Sequence, residues 1–333
     1  DILKSGKMNS WEADDYLQWY DAYDRFLKEK GFDKAFPTVD DLTRSMGNVS
    51  FYYQGRIIEN IRISNTVDAY AVNGWESMKL ENHSGIVDNY RFPKGDPEVM
   101  ARYNAPLYLA VKMNRKVVST GDTTLVDTYI VNEKNLKGSY ILNLVAKDES
   151  GNVVASHKER VTVKGGNDYG QCLQSGWAFI PKSKGYTRIE ASLLKGKTEL
   201  VKGDDLLFAV ELNTKGITTR GSVADTTGAL VNFLRGVGME VPVYKGGTPE
   251  GDYLLVGAYE PTQWGSGMSD IMEWVYKGHT LIIVDNPERW AEFLADKEVL
   301  DYRGSKILGK SWYGGNFFNR EHPIFMNLPA NSA

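Results

Sequence analysis

Residues 67–97, VDAYAVNGWESMKLENHSGIVDNYRFPKGDP, carry the strongest indication of fold and function in this chain of 333 residues. The stretch begins with a short apolar run over residues 67–72. Helices cover both faces of a parallel sheet, so the strands of such a sheet read as continuous apolar runs. The run over residues 67–72 therefore predicts a buried strand. Asn73, Trp75 and Glu76 follow directly. In barrel enzymes the active site lies at the carboxyl ends of the strands, so the sequence predicts a site here.

The composition limits the class of protein. A chain of this length has room for about two or three domains, since single cores stop growing near about 250–300 residues. Its hydrophobic content of 42% is sufficient for packed cores. A net charge of −4 argues against nucleic-acid binding, which needs a basic surface. No apolar run reaches the roughly 18 residues of a membrane span, so no membrane partner is expected.

Cysteine and histidine usage gives no indication of metal or redox chemistry. Cys172 is the single cysteine, which excludes an intramolecular disulfide and a cysteine-rich metal cluster. His83 lies near Glu81 and Asp88, but a lone histidine with dispersed carboxylates is more often a hydrogen-bonded loop residue than a ligand. Neither a metal nor another cofactor is therefore expected.

Residues 1–104 predict helices followed by a strand, which is typical of α/β proteins. Ser10 is a candidate N-cap for a first helix over residues 11–30. A second helix is predicted over residues 49–64. Its buried side is expected to consist of Ile57, Ile58, Ile61 and Ile63.

Residues 105–215 change to short strands separated by turn signals. The predicted strands span residues 107–113, 124–131, 140–145, 153–163, 186–193 and 206–212. Such spacing indicates an immunoglobulin-like β-sandwich.

Residues 216–333 return to alternating helices and strands. Helices are predicted over residues 225–237, 268–276 and 287–295, and strands over residues 253–256 and 279–284. This alternation indicates a flavodoxin-like α/β domain. Aromatic residues remain dense close to Ala333, so the domain is expected to be incomplete.

Residues 67–97 resemble the last barrel strand and the barrel exit of family-2 glycoside hydrolases, the β-galactosidase and β-glucuronidase group. The two later segments follow in the order found in that family, and the last resembles a glutamine-amidotransferase-like domain. The resemblance implies that residues 1–104 are the end of a (β/α)8 barrel. It also implies that Trp75 forms an aromatic wall of the sugar site, with Asn73 and Glu76 beside it to bind sugar hydroxyls.

The implied function is part of a retaining β-glycoside hydrolase that acts on β-linked oligo- or polysaccharides. Such enzymes need two carboxylates about 5–5.5 Å apart, which in this family come from the fourth and seventh barrel strands. A complete barrel takes about 200–250 residues, so both are expected upstream of Asp1. No catalytic residue is therefore assigned, and the isolated chain is expected to be inactive. Glu76 and Glu81, five positions apart on one loop, are poorly placed to flank a sugar.

The family's usual setting implies a periplasmic or secreted protein. The first residues carry no signal-peptide core, so a cytoplasmic location stays open. Self-association into a homo-oligomer also stays open.

Three alternative interpretations remain. Asn73-Gly74 is typical of a hairpin turn, after which Trp75 would simply be buried. The chain could also be a non-catalytic carbohydrate-binding or assembly module. Ser266, in a glycine-rich turn, could be an esterase nucleophile, although an N-cap role is favoured because no strand precedes it. Cysteine-based hydrolysis is disfavoured, because Cys172 falls in the sandwich segment.

Overall fold

The chain divides into two units, Asp1–Val210 with Ser311–Ala333, and Glu211–Lys310. The computed structural model describes residues 13–72, 74–76, 85–88, 90–211, 214–302 and 323–325. No helix within these ranges is both long and apolar enough to cross a membrane.

In the described part of the first unit, three helices precede the strands, namely α1 (Ala13–Glu29), α2 (Val39–Ser64) and α3 (Pro97–Tyr103). Helix α2 starts ten residues earlier than predicted, because a capping box fixes its first turn. The hydroxyl of Thr38 accepts from the Asp41 backbone N–H, while the Asp41 carboxylate accepts from the Thr38 backbone N–H. The helix ends at Ser64, and its C-cap residue Asn65 adopts a left-handed conformation with φ 54°.

The strand predicted over residues 67–72 is wrong. These residues have no regular structure, and the side chains of Val67 and Tyr70 are 49% and 38% exposed. The run is held at the surface, where the Tyr70 hydroxyl donates to Asn104 Oδ1 at 2.8 Å. A short apolar run does not by itself show whether anything covers it. The assignment of residues 1–104 to the end of a barrel stays a prediction.

A β-sandwich follows the helices. Its three-stranded antiparallel sheet contains, in spatial order, β1 (Leu107–Met113), β3 (Thr124–Asn132) and β6 (Gly170–Phe179). Its five-stranded sheet contains, in spatial order, β2 (Val117–Ser119), β8 (Thr198–Val210), β7 (Gly185–Lys195), β4 (Gly138–Asp148) and β5 (Val153–Val163). Only β2 and β8 pair in parallel in that sheet.

Apolar side chains from both sheets form the core of the sandwich, among them Leu109, Ile130, Leu142, Ile189 and Leu207. The predicted combination of a β-sandwich with α/β structure is confirmed. The immunoglobulin-like class of the sandwich stays a prediction.

The second unit is a parallel sheet with helices between its strands. Along the chain it contains β9 (Gly221–Ala224), α4 (Ala229–Gly236), β10 (Tyr253–Val256), a 3-10 turn (Pro261–Trp264), α5 (Gly267–Tyr276), β11 (Thr280–Ile283) and α6 (Pro287–Asp296). The spatial order is β11-β10-β9, and Val243 bridges in parallel to Val223 on the other side of β9.

Counted along the chain, the order across this sheet is therefore 2-1-3-4 when the Val243 segment counts as the second strand. This is how a flavodoxin-like sheet begins. The glutamine-amidotransferase-like assignment stays a prediction.

The two sheets of the sandwich approach closely at Gly203. A Cβ atom on this residue of β8 would lie 1.8 Å from the Leu109 carbonyl oxygen on β1. Because the obstacle is backbone, no side-chain rotation can relieve the clash. Only glycine fits at this crossing.

We therefore expect Gly203→Ala to lower the free energy of unfolding by about 1–3 kcal/mol, the usual effect of overpacking a core. Urea unfolding followed by circular dichroism measures this change. Gly236→Ala is a suitable control, because a Cβ atom there has no neighbour within 4 Å. Equal unfolding midpoints for the two variants would contradict the close approach.

Candidate functional site

Trp75 is fixed through its backbone while its ring stays in solvent. Its carbonyl oxygen accepts from the backbone N–H groups of Ile86 and Val87, at 2.9 and 3.1 Å. Glu76 bridges in parallel to Val87, which in turn bridges antiparallel to Pro93. The Trp75 side chain is nevertheless 63% exposed. The hairpin alternative, in which this ring would be buried, is therefore wrong on that point.

A tight turn lies next to Trp75. Asp88 organises it, because its Oδ1 accepts from the backbone N–H groups of Tyr90 and Phe92, at 2.8 and 2.9 Å. The Arg91 backbone N–H donates to the Asp88 carbonyl at 2.9 Å. Arg91 itself adopts the left-handed conformation, with φ 66°. A residue other than glycine in this region is strained by roughly 1–3 kcal/mol.

The turn places Arg91 against Glu76. The Nε atom of Arg91 lies 3.5 Å from Oε2 of Glu76, and the two side chains are 78% and 44% exposed. Such exposed ion pairs add little to stability. We call residues 75–76, 86–88 and 90–93 the rim, because they combine an exposed ring with an exposed pair of charges.

The structure describes only part of the predicted site. Trp75 and Glu76 are neighbours on the rim, whereas Asn73, Glu81 and His83 lie outside the described residues. Arg91 was not predicted as a site residue. Its left-handed backbone and its contact with Glu76 depend on the fold of the turn, so the sequence carries no direct signal for either.

The two candidate nucleophiles, Ser266 and Cys172, are poorly placed. Ser266 occupies the N-cap position of α5 but makes no side-chain capping hydrogen bond, so the favoured capping contact is absent. A 3-10 turn, Pro261–Trp264, precedes it instead of the strand that a nucleophile elbow needs. Cys172 lies on β6, and burial raises the pKa of its thiol, which disfavours the reactive thiolate. The described ranges contain no cluster of His, Cys, Asp and Glu suited to a metal ion.

A buried ionic network joins α2 to the sandwich. We call it the Glu59 network; its members are Tyr52, Arg56, Glu59, Tyr108, Lys112, Lys116 and Asp205. Glu59 is fully buried. It accepts from the Tyr108 hydroxyl at 2.7 Å, and its other oxygen lies 3.0 Å from Arg56 Nη1 and 3.2 Å from Lys112 Nζ.

Asp205 on β8 forms the other half of this network. Its Oδ2 lies 3.0 Å from Arg56 Nη1 and 2.5 Å from Lys116 Nζ. Its Oδ1 accepts from the Tyr52 hydroxyl at 3.2 Å and from the Leu206 backbone N–H at 2.9 Å. Arg56 therefore links two buried carboxylates, one on α2 and one on β8.

The network shifts the pKa values of its own members. Burial raises the pKa of the Tyr52 and Tyr108 hydroxyls well above their ordinary value of 10.0. Burial also lowers the pKa of Lys112 and Lys116 below 10.5. Each carboxylate has several cationic and hydroxyl partners, which is the pattern of a structural connection between packed elements. The Glu59 network is not predicted from the sequence, although Tyr52, Arg56 and Glu59 are spaced to share one face of a helix.

Comparison with known proteins gives no family assignment. No family model and no curated protein matches the chain. Among solved structures, a β-glucuronidase from glycoside hydrolase family 2 is 14% identical over 31% of this chain and 11% of its own, with a TM-score of 0.25. A family-2 member from Bacteroides cellulosilyticus DSM 14838 is 12% identical over 57% of this chain and 29% of its own, also with a TM-score of 0.25.

A β-glucosidase from Listeria innocua is 11% identical over 31% of this chain and 16% of its own, with a TM-score of 0.23. The chain thus spans less than a third of each of these three proteins. Scores this low establish neither a shared fold over the whole chain nor an activity.

Removing one carboxylate from the Glu59 network should be strongly destabilising. We expect Glu59→Gln to lower the free energy of unfolding by about 3–5 kcal/mol, because Arg56 and Lys112 would lose a buried counter-charge. Urea unfolding at pH 7 measures this loss. Asp24→Asn, in the exposed Asp24–Lys28 pair of α1, is the control and should leave the midpoint unchanged. Similar urea midpoints for Glu59→Gln and Asp24→Asn would contradict a large contribution of the Glu59 network to stability.

The raised tyrosine pKa values predict a loss of stability in alkali. Above about pH 10.5 the unfolded chain loses protons that folded Tyr52 and Tyr108 retain, so the free energy of unfolding should fall by about 1.4 kcal/mol per pH unit per tyrosine. Lys112 and Lys116 act in the opposite sense, but only below their ordinary value of 10.5.

Tyr52→Phe and Tyr108→Phe should each make this alkaline loss less steep. Urea unfolding between pH 9 and about pH 11.5 checks the slope. A slope that is the same in wild type and in both variants would contradict the assignment.

Proposed function

We propose that this chain is the portion of a retaining β-glycoside hydrolase that supplies the rim of the sugar site and the accessory domains. The observation that carries the proposal is the exposure of Trp75 on a fixed backbone. Aromatic rings bury a large area when they find a partner, so an exposed ring on a hydrogen-bonded backbone is suited to a ligand. The C–H face of a pyranose is such a partner.

The residues beside Trp75 suit the hydroxyl groups of a sugar. A ligand site combines apolar surface with a few well-placed polar groups. The Glu76 carboxylate accepts hydrogen bonds and the Arg91 guanidinium donates them. Both are exposed and lie within one small framework. We therefore assign substrate binding, and not bond cleavage, to the rim.

The hydrolytic carboxylates are proposed to lie outside this chain. Retention requires two carboxyl groups about 5–5.5 Å apart. The partner described for Glu76 is a guanidinium. In this proposal, residues 1–104 form the end of the catalytic barrel, residues 105–215 an immunoglobulin-like domain, and residues 216–333 an amidotransferase-like domain used in assembly. A periplasmic or secreted location is part of the same proposal.

A non-catalytic carbohydrate-binding module is the second candidate. The same exposed ring favours it, because stacking on Trp75 requires no catalytic pair. The two candidates differ in whether any form of the protein that contains this chain hydrolyses a glycoside.

Trp75→Ala should weaken the binding of β-linked oligosaccharides by about tenfold, the effect of losing an aromatic stacking contact. Saturation-transfer NMR with a panel of β-linked gluco- and galacto-oligosaccharides measures the affinity. Trp19→Ala on α1 is the matched control, because Trp19 is also a partly exposed tryptophan, 44% exposed. An equal loss in both variants, or no binding by the wild type, would overturn the proposal.

Hydrolysis separates the two candidate functions. The chain alone should not turn over aryl β-glycosides, and turnover abolished by Glu76→Gln would show that the catalytic carboxylate lies on the rim after all. Turnover by a longer form of the protein, reduced by Trp75→Ala, would identify the glycosidase. Binding without turnover in that form would identify the binding module.

A further inference from the structure

We infer that Glu76 and Arg91 together restrict the rim to uncharged glycosides, and that Arg91 is a specificity-determining residue. The inference rests on the proposed function, because it assumes that a sugar lies on Trp75. It adds the charge class of that sugar and a role for Arg91.

The position of Arg91 is imposed by the turn at a conformational cost. Its left-handed φ of 66° is strained for a side chain with a Cβ atom. The exposed ion pair with Glu76 returns little stability for that strain. The backbone bonds to Asp88 hold the conformation in place. Strain maintained without a matching gain in stability is typical of binding sites.

The pair carries both signs of charge and is neutral as a unit. A ligand carboxylate at the rim would be attracted to Arg91 but repelled by Glu76 beside it, and a ligand ammonium group the reverse, so neither gains net attraction in return for its lost hydration. Like charges brought together in this way reject a partner. Neutral hydroxyls meet no such repulsion, because they donate to Glu76 and accept from Arg91.

Two further charged residues, Asp88 on the rim and Lys94 next to it, are engaged in other interactions. The Asp88 carboxylate accepts from the backbone N–H groups of Tyr90 and Phe92. Lys94, whose backbone N–H donates to the Ile86 carbonyl, has a pKa lowered by burial of its ammonium group. Among the charged residues described on the rim and next to it, Glu76 and Arg91 therefore present the more accessible charges.

The test removes one charge of the pair at a time and measures ligand binding at low ionic strength, where surface charges are little screened. The probes are the methyl β-glycosides of glucose, glucuronic acid and protonated glucosamine, measured by saturation-transfer NMR. The wild-type chain should prefer the glucoside. Glu76→Gln, which leaves Arg91 unopposed, should improve glucuronide binding by about 5-fold relative to the glucoside. Arg91→Gln should improve glucosaminide binding by a similar factor.

Lys28→Gln is the control, because Lys28 forms an exposed ion pair with Asp24 on α1. It should leave all three affinities unchanged. If Trp75→Ala weakens glucoside binding while the two rim variants keep the wild-type charge preference, the inference is wrong and the proposed function stands. If the wild-type chain binds none of the probes, the proposed function fails first.

Discussion

Two buried carboxylates, Glu59 and Asp205, are the constraint on which the packing of α2 in the first unit depends. Each is buried, and each needs the Arg56 guanidinium that lies between them. A buried charge that loses its partner is strongly destabilising, so α2 can pack on the sandwich only in the rotation and register that satisfy both. The position of α2 then determines where the chain continues after Ser64.

The start of the rim segment follows from that position. Asn65 ends α2, and its side chain exchanges two hydrogen bonds with the backbone of Gly170 on β6, at 2.5 and 2.7 Å. A Cβ atom on Gly170 would lie 2.5 Å from the backbone of Ile63, so the contact is close and depends on glycine. The segment that leads to Trp75 therefore begins at a fixed point on the sandwich.

Two kinds of ion pair thus have different roles in one unit. The Glu59 network is buried and restricts how helix and sheets pack. The Glu76–Arg91 pair is exposed and contributes little to folding, but it defines the polarity of the surface beside Trp75. The same residue types form a buried connection between packed elements in one place and an exposed ion pair in the other, and solvent exposure makes the difference.

Local pattern determined part of the secondary structure and the order of its main segments. Strands Leu107–Met113, Val153–Val163 and Tyr253–Val256 have their predicted bounds, because apolar periodicity and turn residues are properties of neighbouring positions. Tertiary structure decided the rest, because the burial of a short segment depends on residues that are distant from it in the sequence. Residues 67–72 are exposed in the structure. Ile57 points to solvent, whereas Glu59 is buried. Strand β6, Gly170–Phe179, pairs with β3 although its sequence is polar. The contact between Arg91 and Glu76 likewise required the fold, because a strained turn brings together residues fifteen positions apart.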